Sequence, residues 1–313
     1  MNAIFNADYF QLNIVLQSLI NGLSNGVLYA FLALALVFIF KTSNQLNFAQ
    51  GEMSMVGAFV VFTISSLLGV NVWVAMLLAM VVMFLIGALA WRFLLKPVPQ
   101  TSSYAPLIVL LGLFLLFNAG AAAIWGTGTE RGLSPLPNGL SDQVELLTGV
   151  PVVHITYFTL GGIALLLVTF TAIELWLNKT RMGLAYRAVT SNPESATYLG
   201  ISRTQLLTIG WGLAAAIGVF VGVLFSQQAG ILHNNLLING LLFGFAAAAL
   251  GGFDSLPGAL IGGLVVGLLE ATVPSAINFL GPELNVAVAL AVIFLVLVLK
   301  PSGLLGSAKV VRP

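Results

Sequence analysis

Apolar runs long enough to cross a membrane recur along this chain and leave little sequence between them. Leu12–Phe40, Val72–Leu95, Ala105–Trp125, Ile155–Leu177 and Gln205–Phe225 each meet or approach the roughly 20 residues a helix needs to traverse hydrocarbon. Met53–Leu68, Ile238–Leu250, Gly258–Thr272 and Leu284–Leu299 are shorter. Backbone N–H and C=O groups inside a bilayer must be satisfied within the segment, so these runs are expected to be helices. The expected fold is all-α: a polytopic membrane helix bundle with about 8–9 membrane segments, some short or broken. Composition excludes the soluble alternative. Only 7% of residues are charged and 59% are hydrophobic, where soluble domains carry roughly 25% charge. Without cysteine there are no disulfides or thiolate metal ligands. No basic tract points to nucleic acid.

Basic residues set the expected orientation. No Lys or Arg precedes Lys41, so the chain lacks the charged start of a cleavable signal peptide and the first apolar run is expected to be retained. With the N-terminus outside, nine crossings put the C-terminus in the cytoplasm. Lys41, Lys96, Lys179, Arg181, Arg187, Arg203, Lys300, Lys309 and Arg312 then face the cytoplasm, Arg92 sits at its edge, and only Arg131 faces out. That is the asymmetry cytoplasmic loops show. Ile238–Leu250 and Gly258–Thr272 read as two crossings or as a re-entrant hairpin from outside; both keep the parity.

One long polar stretch, Arg181–Arg203, interrupts the apolar runs. It reads as two short helical pieces, Gly183–Val189 and Glu194–Leu199, split by Asn192-Pro193. An ordered helix pair between spans is more than a tether needs, and it reads as a docking surface for a cytoplasmic partner. A second break, Leu250-Gly-Gly-Phe-Asp-Ser-Leu-Pro-Gly258, places Asp254 or Ser255 where a helix is capped and Pro257 in its first turn. It reads either as a helix start whose positive end helps receive an anionic group or as a tight, ordinarily capped turn. Five glycine pairs at four-residue spacing, Gly22/Gly26, Gly218/Gly222, Gly240/Gly244, Gly258/Gly262 and Gly263/Gly267, imply close helix packing, chiefly within the chain.

Polar residues inside the spans are the candidates for a path. Gln17, Asn21 and Asn25 share one side of the first span, drifting by about 80° over roughly 12 Å. They either line a pathway for a zwitterionic solute or bond between helices, because amides in hydrocarbon need partners. Asn47, Gln50 and Glu52 concentrate donors and acceptors where the chain re-enters the membrane. Glu52 is a dipole-stabilised cap if interfacial, and paired or functional if buried. Asn118 stands alone and reads as a packing contact. Glu270 and Glu174 are placed near the outer and inner surfaces, and His154 and His233 are isolated. No HExxH, carboxylate pair or Ser/His/Asp frame suggests an enzyme, and no cofactor is expected.

Several segments together resemble the LivH-type family, the inner-membrane permeases of branched-chain amino acid ABC transporters. They are Leu46-Asn-Phe-Ala-Gln-Gly-Glu52, the loop from Arg187-Ala188 through Ala196 to Gly200-Ile201, Ala249-Leu-Gly-Gly252, Ser255-Leu-Pro-Gly-Ala-Leu-Ile-Gly-Gly263, Gly267-Leu-Leu-Glu270 and Lys300-Pro-Ser-Gly-Leu-Leu-Gly306. The resemblance runs from about Gly22 to Gly306. It implies one permease domain over residues 1–313, with a cytoplasmic coupling loop at about 178–203 that inserts into an ATPase groove through Gly183, Arg187, Ala188, Glu194, Ala196 and Gly200. It further implies a bacterial inner membrane, a second related permease, two cytoplasmic ATPase subunits and a periplasmic substrate-binding protein. Asp254 stands where the family tends to have a small residue, and Asn192-Pro193 replaces a more acidic loop centre. The chain has no G-x-x-x-x-G-K-[ST] stretch, so ATP would be hydrolysed by another subunit. The competing readings are an ABC permease for urea, short amides or sugars, and an ion-coupled secondary transporter, which would favour central carboxylates.

Overall fold

Asn71, Thr180, Asn192 and Ser202 stand where four helices begin, and their side chains accept the N–H groups of Trp73, Gly183, Ser195 and Gln205. Such caps satisfy donors that a first turn leaves free. The computed structural model describes residues 12–98, 104–137, 139, 142–147, 152–276, 285–300 and 302–306. Its helices are, in chain order, α1 (Leu12–Ser43), α2 (Gln50–Leu68), α3 (Val72–Ala90), α4 (Ala105–Trp125), α5 (Tyr157–Lys179), α6 (Arg181–Ser191), α7 (Pro193–Tyr198), α8 (Arg203–Ala229), α9 (Ile238–Gly251), α10 (Leu256–Ala276) and α11 (Asn285–Leu299).

Among the described residues, seven helices are long and apolar enough to cross a membrane: α1, α2, α3 with its π-helical continuation Trp91–Leu95, α4, α5, α8 and α10. The polytopic helical bundle is thus borne out. Gly258–Thr272, which reads as short in the sequence, lies within the 21-residue α10, because Pro257 suits a first turn and the helix runs on past Thr272. By contrast α9 and α11 have 14 and 15 residues. Lys309, Arg312 and the residues before Leu12 lie outside the described residues, as does Leu284.

The chain divides into two compact units. The first comprises Ala35–Pro135 and Leu167–Leu241. Here α8 packs against both α2 and α3. Gly87 of α3 lies against the Trp211 carbonyl, Gly212 admits the Phe84 ring, and Trp91 stacks on Trp211 with centroids 6.0 Å apart. On α2, Ser54 lies against Gly218 and Gly222, while Gly57 meets Val219.

The second unit comprises Met1–Leu34, Leu136–Leu166 and Leu242–Pro313. A Cβ added at Gly22 would stand 2.8 Å from Leu268 Cα, and one at Gly26 2.9 Å from Leu264 Cα, so α1 and α10 run antiparallel at backbone contact. Gly258 and Gly262 meet Gly251 and Ala247 across the α9–α10 turn. The N–H groups of Leu304 and Leu305 donate to the carbonyls of Leu250 and Gly251 at 2.7 and 3.0 Å, closing the end of α9. The small-residue pairs therefore pack helices of this chain together.

Short strands join the helices and are a feature that sequence pattern did not foresee. β1 (Glu130–Arg131) pairs antiparallel with β4 (Ile231–Leu232) in the first unit. β2 (Gln143–Leu147) and β3 (Val153–Thr156) pair in the second. Segments of two to five residues are too short to show a period-2 pattern.

Candidate functional site

The polar stretch folds as a capped elbow. Thr180 opens α6, and Asn192 leaves α6 in an extended conformation while its side chain caps α7. Pro193 takes the first position of α7, where its missing N–H costs nothing. Gly200, at φ +79°, turns the chain toward α8 in a conformation that favours glycine. Beneath the elbow, Val189, Ala196 and Leu206 form a small core flanked by Ala185, Ala188 and Ile201. Tyr186 anchors it: its hydroxyl donates to the Phe38 carbonyl of α1, and its ring stacks on Phe38 and meets the edge of Trp176. Burial pushes the Tyr186 phenol well above its ordinary range, so the hydroxyl stays a donor.

The elbow's residues divide by direction. Gly183 packs on the backbone of Trp176 and Leu177, and Ala196 faces the small core, so both shape the elbow from within. Ala188 is half-buried, whereas Arg187, Glu194 and Gly200 are exposed. The outer surface also carries Leu184, Tyr198 and Leu199, exposed by 61%, 90% and 79%. Sequence reading passed over these three, because an apolar residue in a short amphipathic helix reads as a core position. The signal available was that an 11-residue and a 6-residue helix cannot bury so many apolar residues on one side.

A second group forms around the start of α2. The Gln50 side chain donates to the Ala214 carbonyl of α8 at 3.1 Å, and Asn47 donates to Gln50 at 3.2 Å. Both amides are fully buried and hold α2 to α8. Glu52 is 1% exposed and accepts from Asn118 Nδ2 at 3.1 Å. The same nitrogen donates to the Asn234 backbone carbonyl at 3.2 Å. Asn118 lies about 20 Å along α4 from Ala105 and about 10 Å from Trp125, so Glu52, in the first turn of α2, meets α4 well inside that helix. It is a buried, bonded carboxylate. No local pattern links Asn118 to it, since 66 positions separate them.

Gln17, Asn21 and Asn25 bond along and across α1. Gln17 donates to Asn21 at 3.0 Å and accepts from the His154 backbone N–H at 2.9 Å. Asn25 donates to Glu270 at 2.6 Å, and Tyr29 hydrogen-bonds the same carboxylate. Glu270 is therefore a nearly buried interhelical acceptor, at 9% exposure. At the α9–α10 turn, Ser255 Oγ accepts the Gly258 N–H at 3.0 Å, which is the capping reading. Asp254 is half-buried beside Gly306.

Among the described residues no cluster of His, Asp and Glu could hold a metal. Seven long apolar helices, with carboxylates and amides buried among them, define a multi-pass membrane protein. Comparison with known proteins is specific. The profile of the family described as "Branched-chain amino acid transport system / permease component" matches residues 18–297, and this chain belongs to that family. It is 27% identical over 307 residues to the high-affinity branched-chain amino acid transport permease BraD of Pseudomonas aeruginosa, covering 94% of this chain and 97% of BraD. With the corresponding permease LivH of Escherichia coli (strain K12) it shares 29% identity, over 94% and 96% of the two chains. The nucleoside ABC transporter permease NupB of Lactococcus lactis subsp. cremoris is 27% identical over 44% of this chain and 38% of its own. These relatives are permeases, not enzymes, and the chain is a transport subunit.

Proposed function

We propose that this chain is the inner-membrane permease subunit of an ATP-driven bacterial importer for branched-chain or other aliphatic amino acids. Likeness to BraD and LivH over 94% of the chain carries the reading. Residues 1–313 act as one permease domain, with the N-terminus outside and the C-terminus in the cytoplasm. A second, related permease completes the pathway, a periplasmic binding protein delivers solute, and two cytoplasmic ATPases grip the elbow at about 178–203. Arg187, Ala188, Glu194 and Gly200 contribute to that grip together with Leu184, Tyr198 and Leu199, while Gly183 and Ala196 keep its shape. ATPase closure moves the elbow, and the Tyr186 bond to Phe38 passes the movement to α1.

Glu52 and Asn118 line the path. Asn47 and Gln50 shape it. The permease need not bind solute tightly, because the binding protein selects, and weak contacts favour release.

The cargo is tested by uptake into vesicles carrying the complete transporter. Radiolabelled leucine and isoleucine accumulate and compete with each other, while excess urea, glucose or a nucleoside leaves their uptake unchanged. Accumulation of one of those solutes in place of leucine would remove the amino-acid reading.

A further inference from the structure

Glu52 is a carboxylate buried between helices, and among the described residues no ammonium or guanidinium group pairs with it. A charge at such depth is costly unless an opposite charge meets it. Asn118 supplies one hydrogen bond to Glu52 Oε2 and one to the Asn234 carbonyl. An amide nitrogen has two donors, so Asn118 has spent both and holds the two acceptor residues side by side. Asn234 is 9% exposed, and its side-chain oxygen Oδ1 is buried with no hydrogen-bond partner. An orphaned acceptor at that depth costs about 1–3 kcal/mol unless a donor arrives.

The place is thus rich in acceptors, and the two donors of Asn118 are used up. A carboxylate or hydroxyl oxygen of a solute finds nothing to accept from on Asn118. An ammonium group carries one positive charge and three donors, enough to meet Glu52 and Asn234 Oδ1 together. We infer that Glu52 and Asn234, positioned by Asn118, form the subsite that receives the α-ammonium group of an amino acid during its passage. The inference rests on the amino-acid reading of the cargo and adds the residues that read its charge.

The test uses the complete permease–ATPase complex in lipid nanodiscs, without binding protein, and equilibrium binding of radiolabelled leucine. The competitors are 3-methylbutylamine, which keeps the ammonium and lacks the carboxylate, and 4-methylpentanoate, which has the reverse. In the parent complex the amine displaces leucine and the acid does not. Glu52→Gln keeps the side chain's shape and weakens leucine and amine binding by about tenfold or more, the size expected when a charge-assisted hydrogen bond becomes neutral. Asn234→Ala weakens both several-fold, and Glu52→Asp restores part of what Glu52→Gln loses.

Unchanged leucine affinity in Glu52→Gln, equal competition by acid and amine, or no leucine binding to the parent complex would each overturn the subsite. Leucine uptake by the complete parent transporter is measured in parallel. Uptake that persists while the binding results fail removes the subsite alone; absence of leucine uptake removes the cargo reading beneath it.

Discussion

Gly222→Leu is expected to abolish recovery of the folded chain. The glycine faces the Ser54 backbone carbonyl where α8 crosses α2, and a Cβ there would overlap that oxygen. Backbone cannot rotate aside as a side chain can, so the helices must separate along a contact that also includes Gly57–Val219 and Gly218–Ser54. Overpacking of this kind costs about 3 kcal/mol or more, a large part of the stability of an ordinary domain. Size-exclusion profiles and thermal unfolding midpoints read the effect. Gly112→Ala on α4 is the matched control: a Cβ there meets nothing within 4 Å, so the midpoint stays level or rises slightly. A Gly222→Leu protein that elutes and unfolds like its parent would show that α2 and α8 do not meet as described.

The second large effect falls on coupling. Leu184→Glu combined with Leu199→Glu places two charges on the exposed outer surface of the elbow, away from Val189, Ala196 and Leu206. The unfolding midpoint should hold, because neither side chain belongs to the core. ATP-dependent uptake should fall by at least about tenfold, since apolar anchors at the centre of an interface commonly contribute about 2 kcal/mol or more each. Unimpaired uptake would mean that the ATPases grip the permease elsewhere. A fallen midpoint would mean that the two leucines support the fold instead.

Much of this architecture is written locally, and those parts are legible in sequence. Span length fixes the crossings α1, α3, α4, α5 and α8. Asn192-Pro193 announces the break in the elbow, because proline cannot continue a helix interior and asparagine caps the next one. The glycine pairs announce close packing, and Gly22/Gly26 against Gly263/Gly267 fulfils it.

What sequence hides are the partners. Asn25 and Glu270 lie 245 positions apart, and Glu52 and Asn118 lie 66 apart. In one dimension each looks like an isolated polar residue, and only packing reveals that each carboxylate has an amide waiting. Direction is hidden as well. Gly183 and Ala196 belong to the elbow motif yet face inward, whereas Tyr198 and Leu199 look like core residues and face outward. The strands β1 to β4 escape because their pairing depends on which loops the bundle brings together.

On the proposed function, the chain forms a solute path but is driven by ATPases that grip it at the elbow. The direct measurement is solute accumulation in proteoliposomes prepared with and without the ATPase subunits, with ATP and loaded binding protein supplied to both. Leucine is expected to accumulate above equilibrium only when ATPases and ATP are present. Accumulation by the permeases without the ATPases, driven by an imposed proton or sodium gradient, would show an ion-coupled transporter instead.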